Sequence, residues 1–325
     1  MLIKTVRANQ PFSLVLIPLI GVLLWLPGLL HPSAPAPQVN MPLYEALDGF
    51  LRLHPLFSVI TGMLLAMTEA FLLNYIIYQH QVLVKKSWLP ALLFVVLSAC
   101  TPGLLWLHAP LIAGLFLLGA LHVLLGTYRM DKAFGAVFNA GLLVGVAGLF
   151  YLPSMVFLLF AIITLILIRP FIWREWLIFL IGAMIPWIYS GVWFFWHDQL
   201  SGITRRLLVD PIVHRDFFLK LPVEYYALTF VTGCLLLVAA GRFVAGAGTS
   251  TLKTKKGVSV MIWFLVFSLL AVIPAQNFAV SGFLFAVFPM ALFISNYFLQ
   301  ARRLWLAETI FLLMLISIGL TYYLK

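Results

Sequence analysis

The stretch VFNAGLLVGVAGLFYLPSMVFLLFAIITLILIRP, residues 137–170, decides the fold. Its two apolar runs are continuous and do not alternate between apolar and polar residues, which favours membrane helices over barrel strands. Pro153 lies between the runs, where a turn is expected because proline cannot continue a helix. Gly and Ala recur in the first run and allow helix backbones to approach closely in lipid. The stretch therefore predicts a helical hairpin in a membrane, and residues 90–128 repeat the pattern.

Apolar runs like these occur along the whole chain. Of its 325 residues, 64% are hydrophobic and 9% are charged, and the mean hydropathy of +1.10 is outside the range of soluble domains. We predict an all-α polytopic transmembrane helical bundle of about 11 helices, because the apolar runs approach the ~20 residues that cross a bilayer. This bundle would form a single integral membrane domain over residues 1–325. The expected spans are 11–30, 56–78, 88–101, 109–127, 134–151, 153–169, 176–196, 225–240, 258–275, 281–299 and 305–323.

The basic residues predict how the chain is threaded. With the N-terminus in the cytoplasm, 14 of the 20 Lys and Arg residues fall on the cytoplasmic side, which is the bias that cytoplasmic loops show. An odd number of spans then places the C-terminus outside. The formal charge of +10 therefore indicates topology and contact with anionic membrane lipids. Nucleic acid is not an expected partner, since no basic and aromatic platform occurs.

No metal and no other cofactor is expected. Cys100 and Cys234 both fall inside apolar runs, which predicts packing and not a disulfide or a thiolate metal site. The sequence contains no metal-ligand spacing and no P-loop, GxSxG or HExxH motif.

Two expected outer loops, residues 31–55 and 197–224, hold nearly all of the polar side chains on that face. In the first loop, PLYEALDGFLRL places apolar residues at helical spacing opposite charged ones, which predicts a short helix lying on the membrane surface. Its apolar residues are Leu43, Leu47, Phe50 and Leu51, and its charged residues are Glu45, Asp48 and Arg52.

The second outer loop carries a cluster of both charge signs. Arginine and histidine can hold a phosphate, and a carboxylate can take a proton from an attacking hydroxyl. Interfacial loops also carry Arg and Asp pairs that satisfy one another and anchor to lipid headgroups, so both interpretations stay open. The candidate residues are His197, Asp198, Arg205, Arg206, Asp210, His214 and Arg215.

Glu69 and Glu308 lie within expected spans. Ionisable groups are costly there, which makes them functional candidates. One interpretation is that both are hydrogen-bond partners between helices, in protonated form. The alternative is a proton or ion relay.

Most of the chain resembles a known but uncharacterised family. The runs LLNYIIYQHQVLVKKSWLPALLFVVLSACTPGLL (72–105), GLLVGVAGLFYLPSMVFLLF (141–160) and FPMALFISNYFL (288–299) resemble polytopic inner-membrane proteins of Bacteroidetes. That resemblance implies a place in the bacterial inner membrane.

The order of features is also similar to the GT-C membrane glycosyltransferases. PLYEALDGF (42–50), His54-Pro55 and GLLVGVAGLFYLP (141–153) occupy the positions of that family's surface helix, HP motif and repeated hairpins. The resemblance implies that Glu45 or Asp48 stands at the catalytic carboxylate and that His54 contributes to substrate binding. It also implies that the later outer loop binds a lipid-linked phosphate.

The expected function is therefore to act on a polyprenyl-linked glycan, or a similar lipid-linked substrate, at the outer leaflet. One version of this hypothesis is that the protein is a GT-C-like glycosyltransferase. Asp48 or Glu45 would be the general base, and the arginines of the second loop would stabilise the departing phosphate. One alternative is a non-enzymatic subunit or scaffold of an envelope assembly, with membrane protein partners. Another is a transporter with its polar site around Glu69 and Gln276. Whether the protein is an enzyme stays open.

Overall fold

A computed structural model of the protein describes residues 12–32, 41–83, 85–199, 225–247, 251–272, 280–301 and 304–323. These residues form twelve α-helices and no strand. The helices are α1 Ser13–Leu30, α2 Pro42–Leu53, α3 Pro55–Gln79, α4 Leu89–Ser98, α5 Ala109–Gly126, α6 Phe134–Phe150, α7 Phe157–Ile168, α8 Trp173–Trp196, α9 Tyr226–Ala247, α10 Leu252–Leu270, α11 Leu284–Gln300 and α12 Leu304–Tyr323. Three 3-10 turns are Pro102–Leu104, Leu152–Val156 and Val280–Phe283.

The all-α prediction is confirmed. A helix occupies each of the eleven expected spans, and α2 is the twelfth. By length and composition, α1, α3, α5, α8 and α9 can each cross a membrane. Shorter apolar helices, of 10–17 residues, are α4, α6, α7 with the turn before it, α11 and the part Ala307–Tyr322 of α12.

Prolines set two of the breaks between helices. His54, between α2 and α3, has φ −127° and ψ 71°, and Pro55 begins α3. Thr101 is extended at φ −140° and ψ 147° before Pro102. A residue that precedes proline is pushed out of the helical region, so neither helix can continue. The surface helix α2 is therefore separate from α3, and the chain leaves the helical path soon after α4 ends.

The central helix α4 is shorter than its expected span of 88–101. Its ten residues rise only about 15 Å, roughly half of a hydrocarbon layer. All ten are buried, and α4 packs mainly against α11, α3 and α1. Phe94 of α4 stacks on Phe288 of α11 with ring centroids 5.0 Å apart. A short helix enclosed by longer ones thus forms the middle of the bundle.

Polar groups gather at two opposite ends of the bundle. At one end, the last turns of α3, α5 and α7 meet the first turns of α8 and α10. We call this the basic end, after Lys85, Lys86, Arg129, Lys132, Arg169, Arg174, Lys253, Lys255 and Lys256. At the other end, α2, the end of α12 and the turn Val280–Phe283 surround residues 99–108. We call this the loop end.

Small residues bring α6 and α8 into backbone contact. A Cβ at Gly141 would lie 2.2 Å from the Phe179 carbonyl oxygen, and one at Gly145 would lie 2.3 Å from that of Ala183. The main partner of α6 is thus α8, and not α7, which follows it in the hairpin.

Replacing Gly141 with alanine should destabilise the bundle, whereas the same change at Gly135 of the same helix should not. Nothing lies within 4 Å of a Cβ at Gly135. We expect Gly141→Ala to lower the free energy of unfolding by about 1–3 kcal/mol through overpacking, and Gly135→Ala to leave it unchanged or raise it by up to ~1 kcal/mol. Thermal unfolding of both variants in the same detergent measures the difference. Equal midpoints would show that the two backbones are not in contact.

Candidate functional site

The surface helix α2 has three distinct faces. Tyr44 and Asp48 are 2% and 9% exposed and face the protein. Leu47 and Phe50 are exposed on the apolar face, where a helix lying in a bilayer surface contacts lipid. Glu45 is exposed on the third face. The two candidate carboxylates therefore have different surroundings, although they are only three residues apart.

The carboxylate of Asp48 is paired within its own helix. Arg52 Nη2 lies 2.5 Å from Asp48 Oδ2, one helical turn away. Arg52 Nε is buried, and no hydrogen-bond partner for it occurs among the described residues. A charged pair of this kind holds both side chains in place. Asp48 thus fixes Arg52 at the loop end. Of the two carboxylates, Glu45 is more exposed than Asp48.

Tyr44 joins α2 to the segment 99–108. Its hydroxyl donates to the Leu107 carbonyl oxygen at 2.8 Å. Burial, with a further contribution from the Asp48 charge, raises the pKa of Tyr44 above its usual range. The phenol is therefore a hydrogen-bond donor at neutral pH.

Three more side chains hold the 99–108 segment. The Leu107 N–H donates to the Ser58 hydroxyl oxygen at 3.3 Å and to the Ser58 carbonyl at 3.1 Å. Thr321 donates to the Cys100 carbonyl at 3.0 Å, and Tyr322 donates to the Ala99 carbonyl at 2.7 Å. Non-helical backbone is tolerated at membrane depth only where protein or water satisfies it. Helices α3 and α12 supply those partners here.

His108 ends the segment by capping α5. Its Nδ1 accepts a hydrogen bond from the Leu111 N–H at 3.1 Å. Burial lowers the pKa of His108 to about 3, so the ring is neutral and can accept. The N-terminus of α5 is thereby fixed beside the irregular segment.

A groove opens at the elbow between α2 and α3. It has a volume of about 440 Å³ and is lined by Phe50, Leu53, His54, Pro55, Leu56 and Phe57. The His54 ring lies 4.7 Å from that of Phe50, and it is the one imidazole in an otherwise apolar lining. The groove is on the side of α2 that carries Phe50, away from Asp48. The structure therefore brings His54 to the groove and keeps the Asp48 carboxylate out of it.

The two described candidates of the second outer loop lie at the end of α8. His197 is exposed, and its Nδ1 is 2.8 Å from the Trp193 carbonyl oxygen. Asp198 has a positive φ of 55°, and its N–H donates to Phe195. Both residues thus help to terminate α8. The other five candidates, Arg205, Arg206, Asp210, His214 and Arg215, lie outside the described residues.

Glu69 and Glu308 also differ from each other. Glu69 is 0% exposed, and neither of its carboxyl oxygens has a hydrogen-bond partner among the described residues. Among these residues, nothing supports the interpretation of Glu69 as a hydrogen-bond partner between helices. Glu308 is half-buried in the first turns of α12.

Sequence reasoning missed an ion pair at the basic end. Arg169 and Glu175 are 7% and 2% exposed, and two guanidinium nitrogens bind the two carboxylate oxygens at 2.9 and 2.8 Å. Arg169 Nη1 also donates to the carbonyls of Thr127 and Met130. In the sequence, the signal is an Arg at the end of one span and a Glu at the start of the next, across Pro170.

A pair of histidines lies at the same end. His80 Nε2 is 3.0 Å from His122 Nδ1. Burial, with contributions from His122 and Lys253, lowers the pKa of His80 to about 4. Within the described residues no group of three or more His, Cys, Asp or Glu side chains lies together.

One comparison with known proteins gives a match. The model of a family of unknown function, DUF6427, matches residues 43–325. The chain belongs to the DUF6427 family. No curated protein and no solved structure matches it. The DUF6427 match includes α2, Glu69, the 99–108 segment and the Arg169 pair, while α1 precedes it. These comparisons do not support the resemblances to Bacteroidetes proteins and to GT-C enzymes.

Removing Arg169 should unfold or strongly destabilise the basic end. Arg169→Ala leaves a buried carboxylate and two carbonyls without a donor, and breaking a buried pair in this way costs about 3–5 kcal/mol. Arg174, five residues on, is exposed beside the Trp173 ring, so Arg174→Ala is the matched control. We expect a large fall in thermal stability and membrane yield for Arg169→Ala alone. Similar behaviour of the two variants would contradict the structural role of the pair.

Proposed function

We propose that this protein acts on a lipid-linked substrate, such as a polyprenyl-linked glycan, at the outer leaflet of a bacterial inner membrane. The observation that carries the proposal is the apolar groove at the α2–α3 elbow, with His54 at its rim. The hydrocarbon chain of the substrate would lie in the groove, and its phosphate would lie near the surface helix.

The chemistry of the groove supports a lipid chain as its occupant. Its volume of about 440 Å³ falls within the range of about 300–1,000 Å³ that is usual for ligand pockets. Phe50, Leu53, Leu56 and Phe57 are 48% to 78% exposed, so the groove opens sideways, where α2 and α3 would meet lipid. A hydrocarbon chain could enter without crossing water.

Polar groups near the groove suit a phosphate-bearing headgroup. His54 lies in the lining, and Asp48 holds Arg52 on the same helix. Imidazole and guanidinium groups are donors that phosphate oxygens accept well. Arg205, Arg206 and Arg215 would add further donors from the second outer loop.

A glycosyl transfer at this place needs a general base. Of the two carboxylates suggested by the sequence, Glu45 fits better, because it is exposed, whereas Asp48 is buried. Glu45 would take the proton of the acceptor hydroxyl while the lipid phosphate leaves with the electrons of the broken C–O bond.

The proposal includes an orientation. We place the basic end in the cytoplasm and the loop end outside, because Lys and Arg are enriched in cytoplasmic loops. Anionic lipids would contact the basic end. The C-terminus would then be outside, and the groove would face the outer leaflet.

Photocrosslinking in liposomes tests the proposal. We expect a polyprenyl phosphate probe with a diazirine in its chain to label residues 50–57, and unlabelled polyprenyl phosphate to compete. Leu53→Trp should fill the groove and lower the labelling several-fold. Leu177→Trp is the control, since Leu177 is a 51% exposed residue of α8 outside the groove lining.

Two results would contradict the proposal. Labelling that spreads over all exposed apolar faces and resists competition would show contact with bulk lipid only. Crosslinks from the groove to another membrane protein in native membranes would favour the scaffold alternative.

A further inference from the structure

Glu69 is a buried carboxyl, and neither of its oxygens has a hydrogen-bond partner among the described residues. It lies 14 residues after Pro55 in the 25-residue helix α3, so its depth is close to the middle of the bundle. A Cβ at Gly114 of α5 would lie 2.8 Å from Glu69 Oε1 and 3.0 Å from Phe288 Cζ of α11. The carboxyl therefore lies where three helices meet, against backbone on one side and near an aromatic ring.

No described positive charge neutralises this carboxyl. Helices α1, α4, α5 and α11 contain no Lys, Arg, Asp or Glu. His122 of α5 is eight residues beyond Gly114, about 12 Å farther along the helix, and it is paired with His80. The titratable side chains of the helices packed around Glu69 are Tyr44, Glu45, Asp48 and Arg52 of α2, Tyr75 and Tyr78 of α3, His122 of α5 and Tyr297 of α11.

An unpaired, ionised carboxylate is strongly disfavoured in such a place. Transfer of an unpaired charge from water to a medium of low polarity has a prohibitive free energy, and such groups take up a proton instead. Phe94 and Phe264 pack on Phe288 at 5.0 and 6.0 Å and make the surroundings apolar. We therefore expect Glu69 to be a neutral carboxylic acid.

The loop end gives this acid a nearby polar surface. Gly114 is five residues after the start of α5, and Phe288 is four residues after the start of α11, which puts both helix N-termini within about 6–8 Å along their axes. The positive end of the helix dipole lies at each N-terminus, and its effect falls off within the first turn. The irregular segment 99–108 and the turn Val280–Phe283 contact each other at that end. Along α5, the loop end is thus nearer to Glu69 than His122 is.

We infer that Glu69 is a proton-binding site inside the membrane, which exchanges its proton with the loop end of the bundle. On release, the O–H bond breaks, the proton goes to water at the loop end, and the negative charge stays on the Glu69 carboxylate. On binding, the reverse occurs. This site is separate from the groove at the α2–α3 elbow and does not depend on the substrate proposed for it.

Infrared difference spectroscopy of the reconstituted protein tests the inference. At neutral pH the wild type should show the carbonyl stretch of a protonated carboxyl in apolar surroundings. The band should be absent in Glu69→Gln and present in Glu308→Gln, which changes the other glutamate in an expected span. It should shift on transfer to D₂O, because the proton exchanges, and convert to a carboxylate band as the pH is raised.

Several results would overturn the inference. Absence of the band in the wild type would show that Glu69 is ionised. A band that does not shift in D₂O would show that the Glu69 proton does not exchange with water and that the acid has only a structural role. Loss of the band on adding sodium at constant pH would show a cation site. Should Glu69→Gln fail to fold, Glu69→Asp provides the second variant: the band should then move in frequency, and an unmoved band would assign it to another residue.

Discussion

A hydrocarbon environment leaves no solvent for backbone N–H and C=O groups, and this constraint governs the non-helical part of the bundle. Helix α4 ends at Ser98, and the chain then runs as irregular backbone to His108. Four of its backbone groups are hydrogen-bonded by Tyr44, Ser58, Thr321 and Tyr322, which come from three other helices. Because these partners are far apart in sequence, the helices must assemble around the segment, which explains why α4 is buried on all sides.

The same segment sets the position of the two candidate sites. It binds α2 through Tyr44 and so fixes the elbow at His54, where the groove opens. It also positions the start of α5 near Glu69, because His108 at the end of the segment caps that helix. The basic end is held together by a different interaction, the buried ion pair of Arg169 and Glu175. An irregular loop end and an ion-paired basic end are thus held together by different interactions.

Hydropathy and proline positions were enough to predict the helices, because continuous apolar runs and X-Pro breaks are local signals. The surface helix was also predictable from its amphipathic pattern. The pairing of α6 with α8 was not, since nearly all residues of both helices are apolar and no periodicity marks a buried face. Asp48 was expected opposite the apolar stripe, but only the tertiary contacts show that it packs against protein and that Glu45 is exposed. The Arg169–Glu175 pair joins two spans across a turn, so neither residue alone predicts it.

The central claim is that the loop end of this bundle is shaped to hold a lipid chain at the α2–α3 elbow. A cryo-EM structure of the protein in nanodiscs of its native lipids tests this most directly. The account predicts elongated density in contact with Phe50, Leu53 and Phe57, with a headgroup beside His54. A groove covered by a helix of another protein, or closed by movement of α2 against α3, would contradict it.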